Sequence, residues 1–164
     1  MFLNENPTLN ERLARSSLIA HETSHMWFGD FVTMEWFNDV WTKEVFANYY
    51  ASQIIEPLFP EVNHSLNFML DYIPAAYSED RTAGANPVKQ QLENMRDAGL
   101  MYGNIIYDKS PVILEMLIKK MGKESFQKGI REYLKTYAYG NATWEGLILS
   151  LIHISEPTRP EPIS

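Results

Sequence analysis

The sequence predicts a mainly α-helical chain. Apolar residues recur mostly at three- and four-residue spacing, helix start and stop residues flank most of these periodic segments, and the connections between them are short. No internal repeat, low-complexity tract or linker-like stretch interrupts the pattern.

The first helix is expected in "PTLNERLARSSLIAHETSHMWFG", residues 7–29, with Pro7, Thr8 and Asn10 as start signals and Gly29 as its stop. Leu13, Ser17, Ile19, Ala20, Ser24 and Trp27 form one broad, small and apolar face, as a buried helix needs. "DFVTMEWF" alternates too briefly to define a strand. "NDVWTKEVFANYYASQIIEPLFP" reads as a second helix, capped by Asn38 or Asp39 and ended before Pro57 and Pro60. A third, "EVNHSLNFMLDYI", ends near Pro74, and "SEDRTAGANP" is the central loop, with Gly84, Asn86 and Pro87 together. "VKQQLENMRDAG" follows. "SPVILEMLIKKMG" is closed by Gly122 and "KESFQKGIREYLKTYAYG" by Gly140, and Thr143 in "NATWEGL" is placed to cap one more helix.

Composition narrows the function classes. At 164 residues and 45% hydrophobic content the chain can bury a core. The balance of 14 Lys and Arg against 21 Asp and Glu gives a formal charge of -7, which disfavours nucleic acid and anionic membranes as partners. With no cysteine, any metal must be held by His, Asp or Glu. No apolar run approaches the roughly 18–20 residues that span a bilayer, and the N-terminus lacks a signal-peptide layout.

The chemistry concentrates in "HETSHMWFGDFVTMEWFNDVWTKE", residues 21–44. On a helix, residues four apart differ by about 40° in direction, so His21 and His25 project from one face and can aim two imidazoles at one ion. By itself this pair is compatible with a metal site and equally with two solvated or hydrogen-bonded structural histidines. A tetrahedral zinc held by two imidazoles needs a third protein ligand and a water, and a carboxylate is the usual third group in hydrolytic sites. Glu44 can supply it, because the 18 residues between His25 and Glu44 let the chain turn and return as an antiparallel helix. Glu22, on the rim of the same face, can take a proton from the attacking water.

The stretch "HETSHMWFGDFVTMEWFNDVWTKEVFANYYA" resembles the HExxH-x18-E region of the aminopeptidase N family of gluzincin zinc metallopeptidases. The similarity continues through "IIYDKSPVILEML", which is similar to the family's Tyr-Glu-Lys-Gly segment, and "YGNATWEGL", and so covers nearly all of residues 15–147. The resemblance implies that His21, His25 and Glu44 bind one zinc per chain, that Glu22 is the general base, and that Tyr107 donates its hydroxyl to the oxyanion. It implies a peptide substrate cut at its N-terminal bond. It also implies the helical part of a thermolysin-like catalytic domain, truncated at both ends. The alternatives are a gluzincin endopeptidase and an inactive zinc-binding fragment.

Departures bear on specificity. The family usually has Gly after the third ligand, where Val45 stands, and Gly after the Lys of the tyrosine segment, where Ser110 and Pro111 stand. Pro111 is tolerable as the first residue of a helix. The family's Gly-x-Met-Glu-Asn strand, which binds the substrate's α-amino group, lies upstream of the histidines, yet only 20 residues precede His21; "LENM" at 92–95 is downstream and is a different feature. The isolated chain is therefore expected to be inactive, with the rest of the parent catalytic domain missing.

The remaining residues read as structure. Trp27, Phe28, Phe31, Trp36, Phe37 and Trp41 are packing residues around the site, His64 is a surface or capping histidine, Asp39 a helix cap, and Lys109 a surface charge or the partner of a carboxylate. Residues 1–148 are read as a partial peptidase catalytic domain, made of the zinc-binding helices and a following helical lobe. Residues 149–164 are read as a non-native tail: "LSLIHISEPTR" resembles the translation of a transposon-end adapter, which would leave His153 without a role. Pro157, Pro160 and Pro162 argue against a helix there.

Overall fold

A computed structural model describes residues 3–155, and its architecture is mainly helical. Helix α1, Leu9–Ser24, opens on a capping box in which the Glu11 N–H donates to Thr8 Oγ1 at 3.2 Å and the Thr8 N–H donates to the Glu11 carboxylate at 2.8 Å. It stops five residues before Gly29, with His25 as its last αR residue. Gly29 serves a different reversal: at φ +140° its N–H donates to the Val32 carbonyl at 2.9 Å, turning the chain into strand β1, Val32–Met34.

The buried face of α1 is narrower than its periodicity predicts. Ala20 and Ser24 are buried, whereas Ile19 is 55% and Trp27 49% exposed. Small residues at the crossing let α2, Val40–Ile55, lie close, and Ala20, Ala51, Ile55 and Phe59 form an apolar cluster between the two helices. Among the flagged aromatics Phe28 and Trp41 are buried, Phe31 and Phe37 are half-buried, and Trp36 joins Trp27 at the surface.

Neither expected cap closes the start of α2. The Asn38 amide oxygen accepts from the Leu92 N–H at 2.8 Å, and the Asp39 carboxylate accepts from the Trp144 N–H at 3.0 Å. Asp39 thus caps a helix, but it is α7, Trp144–Ser155, far along the chain. Parallel pairing of β1 with β2, Gly140–Ala142, joins the same two regions, with Val32 opposite Gly140 and Met34 opposite Ala142. That distant partner is what makes a strand of so short an alternation.

The expected third helix ends close to Pro74, as its sequence predicts, and a further helix follows it at once. α3, His64–Asp71, is capped by Asn63, and α4, Ile73–Asp80, carries Pro74 in its first turn, where a missing N–H costs nothing. Pro74 therefore follows the end of one helix and opens the next, and α4 runs into the segment expected to be loop. Residues 88–99 are not α-helical. Leu92 is buried, clasped by Asn38 and by the Trp36 indole N–H donating to its carbonyl at 2.9 Å, and a 3-10 helix, Met95–Met101, follows.

A single π-helical turn, Ile105–Lys109, leads into α5, Ser110–Met121. Gly122 closes α5 at φ +84° and α6, Lys123–Thr136, ends before Gly140, which begins β2. The Gly146 N–H donates to Thr143 Oγ1 at 3.2 Å, as the capping pattern predicts. α7 continues to Ser155, so residues 149–155 are helical, contrary to expectation; the three prolines begin at Pro157, outside the described residues.

The main core gathers Val40, Val45, Phe46, Ile106, Phe126, Ile130 and Leu147 beneath α2. α6 and α7 cross closely at Gly129, where an added Cβ would lie 2.6 Å from Leu151 Cδ2 and 3.2 Å from its Cα. Backbone on one side of that gap leaves little room to yield. We expect Gly129→Ala to lower stability by about 1–3 kcal/mol; a thermal or urea melt matching wild type would show that the two helices separate freely.

Candidate metal centre

α1 and α2 run antiparallel and each contributes one turn to the site. From α1 and its C-cap come His21 and His25, and from α2 come Glu44 and, one turn further, Asn48. His21 Nε2 lies 3.4 Å and His25 Nε2 3.5 Å from Glu44 Oε2, and the two Nε2 atoms are 3.1 Å apart. Three donor atoms, one from each residue, fall within 4.8 Å of one another, the one such group among the described residues. Three of the sequence-predicted residues therefore converge.

The opposite ring nitrogens are engaged. His21 Nδ1 is 2.8 Å from Asn48 Oδ1 and His25 Nδ1 is 3.0 Å from the Phe28 carbonyl oxygen. A carbonyl oxygen only accepts, so His25 carries its proton on Nδ1, and the same holds for His21 with the amide oxygen toward it. Both Nε2 lone pairs then face each other and a carboxylate oxygen across less than 3.6 Å. Such a cluster of acceptors attracts a cation, and its two imidazoles and one carboxylate suit a small divalent ion. The donor set fits a bound metal.

Electrostatics point the same way. The hydrogen bond to Glu44 raises the His21 imidazole above its ordinary value, against the opposing effect of burial. Burial acts to raise the Glu44 carboxyl, but the bond from His21 and the nearby charges of Lys43 and His25 outweigh it and hold the group below the usual carboxylate range. Lys43 Nζ is 3.2 Å from Glu44 Oε1, which leaves Oε2 as the oxygen facing the histidines.

Glu22 stands outside this donor group, on the exposed rim of α1. Tyr107 lies in the π-helical turn, which packs on α2. Its phenol is pushed above its ordinary value, first by burial and then by the charges of Glu44 and Glu22. A π turn is an irregularity often found at functional sites, and the backbone supports this one: the Ser110 N–H reaches the Ile105 carbonyl and the buried Ser110 hydroxyl donates to that of Ile106. Lys109 pairs with Asp80 at 2.5 Å and donates to the Asn86 carbonyl at 2.9 Å, tying the turn to the end of α4.

Sequence reasoning missed Asn48. Its signal was present in the helical period, since a residue four after Glu44 shares its face. Val45 and Pro111, where this chain departs from the aminopeptidase pattern, are both buried and line with Asn48 a cleft of about 230 Å³ between α2, α3 and α5. His64 also lines it and donates from Nε2 to the Phe59 carbonyl at 2.8 Å, a structural role as expected.

Two histidines and a glutamate on antiparallel helices, with a second glutamate next to them in the chain, form a three-donor group of the kind that holds a divalent metal. The chain belongs to the peptidase family M1, whose domain description matches residues 1–160. Among its relatives, aminopeptidase M1-B of Oryza sativa subsp. japonica is 37% identical over 79% of this chain and 15% of its own length. Endoplasmic reticulum aminopeptidase 2 of Homo sapiens is 34% identical over 92% of the chain and 16% of its own. Probable aminopeptidase 1 of Sulfurisphaera tokodaii is 31% identical over 90% and 19%. The chain thus spans a fifth or less of the length of these relatives. No helix among the described residues is long and apolar enough to cross a membrane.

Proposed function

We propose that this chain is the zinc-binding part of an aminopeptidase that removes residues from the N-terminus of peptides. The observation that carries the reading is the convergence of His21 Nε2, His25 Nε2 and a Glu44 oxygen within 4.8 Å, with both Nδ1 atoms engaged elsewhere. Zinc held there supplies Lewis acidity, polarising the scissile carbonyl and making water nucleophilic near neutral pH. Glu22 accepts the proton of that water as it attacks and passes it to the leaving amine. Tyr107 donates its phenolic hydrogen to the carbonyl oxygen as negative charge builds on it.

The restriction to N-terminal bonds rests on the family and on the names of the relatives. Residues 149–164 are proposed to be a non-native tail; codons reading CTGTCTCTTATACACATCT under Leu149 to Ser155 support this, and unrelated codons defeat it. Specificity is tested on the complete protein that carries this chain. It should hydrolyse a short peptide with a free N-terminus, lose this activity to a chelator and regain it with zinc, and leave the N-acetylated peptide intact. Equal cleavage of both peptides would assign an endopeptidase instead.

A further inference from the structure

We propose that Asn48 is a positioning residue that selects the metal-binding tautomer of His21. The inference rests on the zinc reading above and deepens it. His25 has an acceptor that cannot change character, because the Phe28 carbonyl takes the Nδ1 proton whatever else happens nearby. His21 faces a primary amide, which offers an acceptor in one orientation and a donor in the other.

The two orientations have opposite consequences. With Oδ1 toward His21, as in the 2.8 Å contact, the proton sits on Nδ1 and the Nε2 lone pair faces Glu44 and His25. With Nδ2 toward it, Nδ1 must accept, the proton moves to Nε2, and the donor face of the site closes. Among the described residues the Asn48 side chain makes no other hydrogen bond, so its amide oxygen is left wholly to His21. The amide is held at the right level because it is one helical turn beyond Glu44, just as His21 is one turn before His25 on the antiparallel helix.

A neutral amide orients the ring without placing a negative charge behind it. An aspartate in its place would accept the same proton and add charge that strengthens the imidazole as a ligand, since partners behind metal-bound histidines tune affinity by about 10–100-fold. An apolar side chain would release the ring to its preferred tautomer in water, with the proton on Nε2.

The test uses the full 164-residue chain and its Asn48→Leu, Asn48→Ser and Asn48→Asp variants, with helical content checked by circular dichroism. Two readouts are taken above the imidazole titration range: the His21 tautomer in zinc-free protein by nitrogen-15 imidazole NMR, and zinc affinity by competition with a coloured chelator. Wild type and Asn48→Asp should hold the proton on Nδ1. Asn48→Leu should shift it to Nε2 and weaken zinc by about 10–100-fold, with Asn48→Ser, too short to reach the ring, behaving alike should the leucine variant fail to fold. Asn48→Asp should bind zinc at least as tightly as wild type. An unchanged tautomer in the leucine or serine variant overturns the proposal, as does unchanged zinc affinity. A folded wild type that takes up no zinc defeats the metal reading, and the tautomer measurement still decides the role of Asn48.

Discussion

Glu22→Gln, made in the complete protein, should lower peptide hydrolysis by about 10²–10⁴-fold while leaving zinc content unchanged. The separation of the two readouts follows from geometry. Glu22 is the residue after His21 and lies on the rim of α1, so its carboxylate is excluded from the three-donor group. Its charge acts on both His21 and Tyr107. Glutamine keeps the size and the hydrogen-bonding reach but cannot accept a proton near neutral pH. Turnover equal to wild type in a zinc-loaded variant would remove Glu22 from the mechanism.

Tyr107→Phe should lower kcat by about 10²–10³-fold with little change in KM, the signature of a donor that acts when charge develops on the substrate. The fold should survive, because the ring is 37% exposed and its loss of a hydroxyl leaves Ile105 and Ile106 to anchor the turn. The direction of the pKa shift sets the pH dependence. Burial, followed by the charges of Glu44 and Glu22, raises the phenol above its ordinary value of 10.0, so the proton stays in place through neutral and mildly alkaline pH. In the zinc-free chain the Tyr107 phenol should therefore titrate above that ordinary value, which its ultraviolet absorbance reads. A variant whose kcat matches wild type would leave the oxyanion to other donors.

How much of this was legible in the sequence depended on how local each determinant is. The capping box at Thr8 and Glu11, the cap at Thr143 and the stop at Gly122 lie within a few residues of the ends they define, and they appear where the pattern puts them. The two histidines needed only the helical period. Glu44 needed the assumption that α2 returns antiparallel to α1, which the 3.4 and 3.5 Å approaches to the histidines bear out.

The misreadings share a physical cause. Asp39 looks like the cap of α2, but its carboxylate spans to α7, and no local rule reports that the Trp144 N–H needs an acceptor. The strand at Val32 depends on a partner beyond Tyr139. Pro74 follows the end of α3 and also opens α4, and only the first of these roles is legible locally, because both ends of a helix tolerate a proline nearby. Residues 88–94 carry good helix formers, yet tying Leu92 to Asn38 and Trp36 outweighs that small preference. Tyr107 is the extreme case. One tyrosine among nine, it was singled out by family resemblance alone, and the π turn that aims it has no signature in periodicity.

Elemental analysis of the folded 164-residue chain after exposure to zinc and exhaustive dialysis, beside a Glu44→Gln control, tests the three-ligand zinc site most directly. We expect about one zinc per wild-type chain and a marked loss in the control, because three protein ligands and a water complete a tetrahedral site and the variant lacks one. A folded wild-type sample that retains no zinc, or a Glu44→Gln variant that retains as much as wild type, would contradict it.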